Sequence, residues 1–171
     1  MERPIQFHER RYEFERSGTN RFHYFFRTVH QVEYKVVFKP ASYVFGDDKP
    51  YASLLYEFSL LVQFAGPDSY RRDDLIAPTV AFIFLDFYNN NQNICLYICD
   101  SSDGKHHVRA RMFNIWFRQY NRGAFSKFDS YLVDTNGDTI PVSIILSSDN
   151  AYWEEINVAF SRLIKGYNDQ K

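Results

Sequence analysis

The chain has 171 residues, 45% of them hydrophobic and 19% aromatic, with 17 Phe and 13 Tyr and a formal net charge of −1. That length suits a single domain over residues 1–171, able to bury roughly two-thirds of its unfolded surface, and so many rings exclude disorder. The near-neutral charge excludes global steering toward nucleic acid or anionic lipid, so any recognition of phosphate must come from a local cluster.

Period-two alternation opens the chain. Tyr12 and Phe14 alternate with Glu13 and Glu15, and Phe22, Tyr24 and Phe26 alternate with Arg21, His23 and Phe25. Val32, Tyr34, Val36 and Phe38 keep the same period, which predicts three strands, the first two separated by the turn Ser17-Gly18-Thr19-Asn20. A loop marked by Pro40, Gly46, Asp47, Asp48 and Pro50 leads to a fourth strand, with Tyr56, Phe58, Leu60, Val62 and Phe64 on one face.

The period then changes. Ile76, Val80, Ile83, Phe84 and Phe87 carry the spacing of an amphipathic helix. Asp73 and Asp74 stand where carboxylates favour a helix N-terminus, and Pro78 restricts where that helix begins. Ile94 to Cys99 is continuously apolar, as expected of a central strand covered on both faces. After the turn 100–104 a second helix spans roughly Lys105 to Tyr120 and ends near Gly123. Phe128 to Val133 and Ile140 to Leu146 form a hairpin about Asn136-Gly137. A last helix begins near Asp149 or Asn150, aligns Trp153, Ile156, Phe160, Leu163 and Ile164, and stops near Gly166. The expected fold is α+β: a mixed, mostly antiparallel sheet with about three helices in the order ββββ-α-β-α-ββ-α.

The longest apolar runs, 80–85 and 94–99, are six residues each. A bilayer span needs about 20, so no membrane is expected. Met1-Glu2-Arg3-Pro4 leads into charged sequence without a leader's apolar region, which makes the cytoplasm the expected location. Cys95 and Cys99 would lie about 13 Å apart along a strand, beyond the about 7 Å that a disulfide tolerates, and read as buried packing residues without companions for a metal.

Several constellations could carry chemistry. Arg71 and Arg72 precede a helix start, where they would bind an anion or neutralise Asp68, Asp73 and Asp74. Between Asp103 and Asp129 the chain carries Lys105, Arg109, Arg111, Arg118, Arg122 and Lys127 and no acid. At about 100° per residue Arg111, Arg118 and Arg122 fall on one side of the second helix, either as a ridge for phosphates or as a solvated face. Arg109 falls inside the apolar arc of Met112, Phe113, Trp116, Phe117 and Tyr120. It would hold a ligand at the mouth beside Asp100 and Asp103, or pair structurally with one of those aspartates. The segment Asp100-Ser101-Ser102-Asp103-Gly104 follows the central strand and would cradle an anion or simply cap the helix. His106 and His107 lack a nucleophile at recognisable spacing. Asp134-Thr135-Asn136-Gly137-Asp138 lacks the glycine and glutamate pattern of a calcium loop and reads as a hairpin turn.

From the fourth strand onward, about Tyr56 to Val133, the order resembles the core of the GNAT-type N-acetyltransferases. The segments that carry the resemblance are Pro67-Asp68-Ser69-Tyr70-Arg71-Arg72 before the first helix and Ile94-Cys95-Leu96-Tyr97-Ile98 before the second. The sequence also resembles small bacterial proteins of unknown function. The acetyltransferase resemblance implies acyl-coenzyme A wedged between splayed strands, with its pyrophosphate at the start of the first helix. That family's phosphate loop reads Arg/Gln-x-x-Gly-x-Gly/Ala. The best register here, Arg72-Asp73-Asp74-Leu75-Ile76-Ala77, puts a leucine at the close-approach glycine and two carboxylates where phosphates would arrive. Phe113 occupies the position of the family's general-acid tyrosine. The expectation is therefore a GNAT-like domain without the usual acetyl chemistry and with no cofactor, catalytic residues unassigned, binding a ligand, a protein partner or a second copy of itself. The alternatives are an acyl-CoA-dependent N-acyltransferase of the toxin type that modifies RNA-linked amines, and a nucleic-acid-binding module.

Overall fold

Rings at every second position of the first three strands need a covered face, and a seven-stranded sheet supplies it. The computed structural model describes residues 10–20 and 22–170; Arg21 and the first four residues, considered above, lie outside that range. The strands are β1 (Phe14–Arg16), β2 (His23–Arg27), β3 (Val32–Pro40), β4 (Leu55–Ala65), β5 (Ile94–Ile98), β6 (Phe125–Val133) and β7 (Thr139–Ser147). The helices are α1 (Ile76–Phe87), α2 (His106–Tyr120) and α3 (Trp153–Asn168). The sheet order is β1-β2-β3-β4-β5-β7-β6, antiparallel except between β4 and β5. The fold is the expected mixed α+β class.

The two sheet faces bury different chemistry. Beneath α1 and α2 lies an aromatic core of Tyr24, Phe26, Phe38, Tyr56, Phe58, Phe87 and Phe113. Phe38 stacks on Phe87 with centroids 3.9 Å apart, and such ring pairs add about 0.5–1.5 kcal/mol beyond their buried area. Beneath α3 lies an aliphatic core in which Leu55, Ile94, Ile144 and Leu146 meet Ile156, Phe160 and Ile164. Cys95 and Cys99 are both buried and free. Among the described residues no helix is long and apolar enough to cross a membrane.

Five local expectations change. Gln63 has no partner in the β3–β4 ladder, where Glu33 faces Phe64 and Tyr34 faces Val62. This bulge turns Phe64 to the face of Glu33 and breaks the five-residue alternation expected for β4. Strand β6 begins at Phe125, because its amide bonds the Asn121 side chain at 2.8 Å and it pairs with Ser147. Helix α3 starts later than expected, since Asn150 serves a turn: its Oδ1 accepts from the Tyr152 amide at 2.8 Å and its amide group donates to the Gln92 carbonyl at 3.1 Å. It also runs past Gly166 to Asn168, whose side chain docks on Tyr131 and Val133 of β6. Leu163, expected on the buried stripe, is 37% exposed.

Candidate ligand cleft

Strands β4 and β5 run parallel through three residue pairs, Leu55 with Ile94, Tyr56 with Cys95 and Glu57 with Leu96, and then part. Rings fill the fork. Phe58 and Tyr97 meet edge to face at 5.4 Å, and Phe113 of α2 sits over both, 5.7 Å from Phe58 and 4.5 Å from Tyr97. Above this wedge opens a cleft of about 940 Å³. Its walls are Leu60 and Val62 of β4, Tyr34 of β3, Ile76 and Ala77 of α1, and Met112, Trp116 and Tyr120 of α2. Arg72, Asp73, Asp74, Asp100 and Arg109 are the charged residues of its lining. Beyond the third pair the facing edges of β4 and β5 have no ladder to share, which leaves backbone donors and acceptors along an apolar slot.

At one end of the cleft, the two carboxylates before α1 are already engaged. Asp73 accepts the Leu75 amide on Oδ1 at 3.0 Å and the Tyr12 hydroxyl on Oδ2 at 2.7 Å. Tyr12 in turn accepts the Val29 amide at 3.1 Å. Burial raises the Tyr12 pKa, and the Asp73 carboxylate adds to the effect. Pro78 has no amide, and the Thr79 amide returns to the Leu75 carbonyl at 3.2 Å, which leaves the amides of Ile76 and Ala77 at this helix end. Arg72 bonds Asp74 at 2.7 Å and Arg71 approaches Asp68 at 3.3 Å, both on exposed side chains. The two arginines therefore answer local aspartates, and only Arg72 lines the cleft.

At the other end, Asp100 and Asp103 shape the loop into α2. Asp100 accepts the amide and hydroxyl of Ser102, and those two bonds hold its carboxyl below the usual range. Asp103 accepts the Lys105 amide at 3.0 Å and pairs with Arg109, which lowers its pKa likewise. Arg109 also donates to the Asp100 carbonyl at 2.8 Å and keeps 35% of its side chain exposed beside the cleft. It thus joins a structural pair and a place at the mouth.

Sequence reasoning did not single out Tyr97. Its phenol shares a hydrogen bond with the Cys99 thiol, and burial first, then that bond, push its pKa above the usual value. Burial likewise raises the Cys99 thiol. Continuous apolar sequence from 94 to 99 hid a cleft-lining tyrosine, and its alternation with Cys95 and Cys99 was the only available signal.

The other candidates lie elsewhere. Arg111 and Arg118 sit on the flank of α2 away from the cleft, while Arg122 lies past the helix C-cap at φ 45° and so leaves the expected ridge. The His106 and His107 rings lie tilted against each other with centroids 4.3 Å apart. Among the described residues no group of three or more His, Cys, Asp or Glu is placed to hold a metal ion. Asp134 Oδ1 accepts the amides of Asn136 and Asp138, which closes the hairpin turn.

Residues 72–162 match the model of DUF6169, a family of unknown function, a stretch running from the cleft's lower wall through β5, α2, β6 and β7 into α3. No curated protein matches. A solved structure of a CoA-dependent acyl-homoserine lactone synthase, MesI, aligns at 9% identity over 86% of this chain and 70% of that one, with a TM-score of 0.37, a likeness on which no argument rests.

Proposed function

We propose that this chain, which belongs to the DUF6169 family, binds an elongated small molecule in the cleft between β4 and β5, one with an apolar or aromatic body and groups able to hydrogen-bond strand edges. The parting of the two strands after Glu57 and Leu96 carries this reading. An aromatic floor supplies burial, and the strand edges and Arg109 supply direction.

The residues at the α1 start do not suit the diphosphate of coenzyme A. Leu75 projects a side chain where backbone would have to approach. Asp73 and Asp74 bring negative charge, opposed at about 1–4 kcal/mol per close anion pair between water and surface dielectric. This reading is of binding without the acyl transfer usual in GNAT-type acetyltransferases. A second reading, acyl transfer by an atypical route, has one observation in its favour: Tyr97 is a protonated phenol one ring from Phe113 and lines the same cleft.

Titration with 1-anilinonaphthalene-8-sulfonate tests the first reading. One saturable fluorescent site is expected, lost when Ala77→Trp fills the cleft, together with no calorimetric heat from acetyl-coenzyme A. Micromolar acetyl-coenzyme A binding, or dye binding indifferent to Ala77→Trp, overturns it. Under the second reading Tyr97→Phe abolishes acyl transfer to amine acceptors while leaving acetyl-coenzyme A affinity in place.

A further inference from the structure

The flank of α2 turned away from the cleft carries a groove of its own. His107, Arg111, Asn114 and Arg118 follow one another at helical spacing and face Asp129 of β6 and Ser143 of β7 across a space of about 380 Å³. Lys127 lies beneath it with its side chain only 5% exposed, its ammonium bonded to Asn114 Oδ1 and paired with Asp129. The Ser143 hydroxyl donates to the same Asp129 carboxylate at 2.6 Å.

The charges here do not cancel. Asp129 is answered by Lys127 and Ser143, and α2 contains no acid. Among the described residues Arg111 and Arg118 make no ion pair or hydrogen bond, and both are exposed. A lysine so nearly buried is costly to desolvate, and its partner Asp129 keeps 56% of its side chain exposed. What this one does is fix Asp129, Asn114 and Ser143 as a rigid polar floor and occupy the only carboxylate among the groove's lining residues. Arg111 and Arg118, whose backbone positions lie about 10 Å apart along the axis at 1.5 Å per residue, both line the groove over that floor. Guanidinium forks match phosphate oxygens in geometry as well as charge.

We infer that the groove between α2 and the β6–β7 hairpin is a second binding site, for phosphate oxyanions, engaged by Arg111 and Arg118 and separated from the cleft by the body of α2. Two guanidinium forks rooted two helical turns apart suit more than one phosphoryl group, which either a polyphosphorylated small molecule or a run of single-stranded phosphodiesters provides.

Two probes separate these sources: fluorescein-labelled oligo(U), followed by anisotropy across a salt series, and inorganic tripolyphosphate, followed by calorimetry. Arg111→Gln/Arg118→Gln is compared with Arg162→Gln/Lys165→Gln, which removes the same charge from exposed positions on α3. For the phosphodiester source, oligo(U) binds, and the first variant weakens it at least about tenfold. Its log–log salt slope falls by about 1.4, at about 0.7 per phosphate contact on a single strand. For the small-molecule source, tripolyphosphate binds, the same variant abolishes the heat, and oligo(U) stays unbound. In both cases the α3 variant behaves as wild type, and dye binding in the cleft is unchanged by either variant. Failure of both probes to bind, or wild-type affinity in Arg111→Gln/Arg118→Gln, overturns the inference.

Discussion

Strand β5 has two neighbours, and it is held by them very differently. Along β7 it pairs antiparallel through all five of its residues, Ile94 with Leu146 to Ile98 with Val142, over an aliphatic floor closed by α3. Along β4 it pairs for three residues and then the sheet opens. Backbone preference does not separate the two sides, since each begins as an ordinary ladder. Side chains do. Aliphatic pairs and Tyr97 against the small Ser143 keep β5 and β7 in register, whereas Phe58, Tyr97 and Phe113 meet at the point where β4 parts from β5, with the Gln63 bulge re-aiming β4 further along. Binding sites are drawn from the less stable parts of a structure, where few contacts must be surrendered to admit a ligand.

That contrast is broken most severely on its closed side. Leu146→Ala removes a fully buried side chain beside Ile94 and should cost about 2–5 kcal/mol, read as a fall in the urea midpoint. A loss under about 1 kcal/mol would show that β7 is less tightly held than its burial implies. On the open side, Trp116→Ala should cost less, about 1–2 kcal/mol in the ordinary range of single substitutions, because Trp116 is half-buried at the cleft wall. The same change should weaken dye binding in the cleft at least about tenfold, whereas Leu146→Ala, while folded, should leave it alone. If both substitutions reduce stability equally, the two sides of β5 are one cooperative unit and the comparison fails.

The smallest effect belongs to the loop at the cleft mouth. Asp100 and Asp103 titrate lower in the folded state than in an unfolded chain, where the reference is about 3.9. Their contribution is therefore complete above that value and lost as pH falls through the lower folded one. Protection of the Lys105 amide, taken relative to its intrinsic exchange rate, should hold near neutrality and fall as pH drops through the lowered Asp103 pKa. Asp103→Ala, which offers no oxygen to Lys105 or Arg109, should lack that protection throughout. Slow exchange in that variant would show that the loop is held by backbone alone.

Much of this molecule was legible from residue order. The 76–87 helix, the apolar 94–98 strand and the Asn136-Gly137 hairpin stand where periodicity and turn chemistry place them, because each depends on residues a few positions apart. Proximity in the chain also explains why Arg109 could be matched in advance to Asp100 and Asp103. The boundaries that moved were those at which a distant partner intervened, as when Asn150 reached Gln92 and Asn168 reached β6.

Local pattern by itself determined which segments are strands and helices, that β5 is central, and that α2 is basic on one side and apolar on the other. Only the tertiary structure decided where the sheet opens, that Tyr97 faces the opening, and that Arg111 and Arg118 overhang a buried Lys127 rather than bulk water alone. The reason is physical. Spacing along a chain specifies direction about one axis, but a cleft or a charged groove is a property of surfaces brought together by packing, and their neighbours lie dozens of residues away.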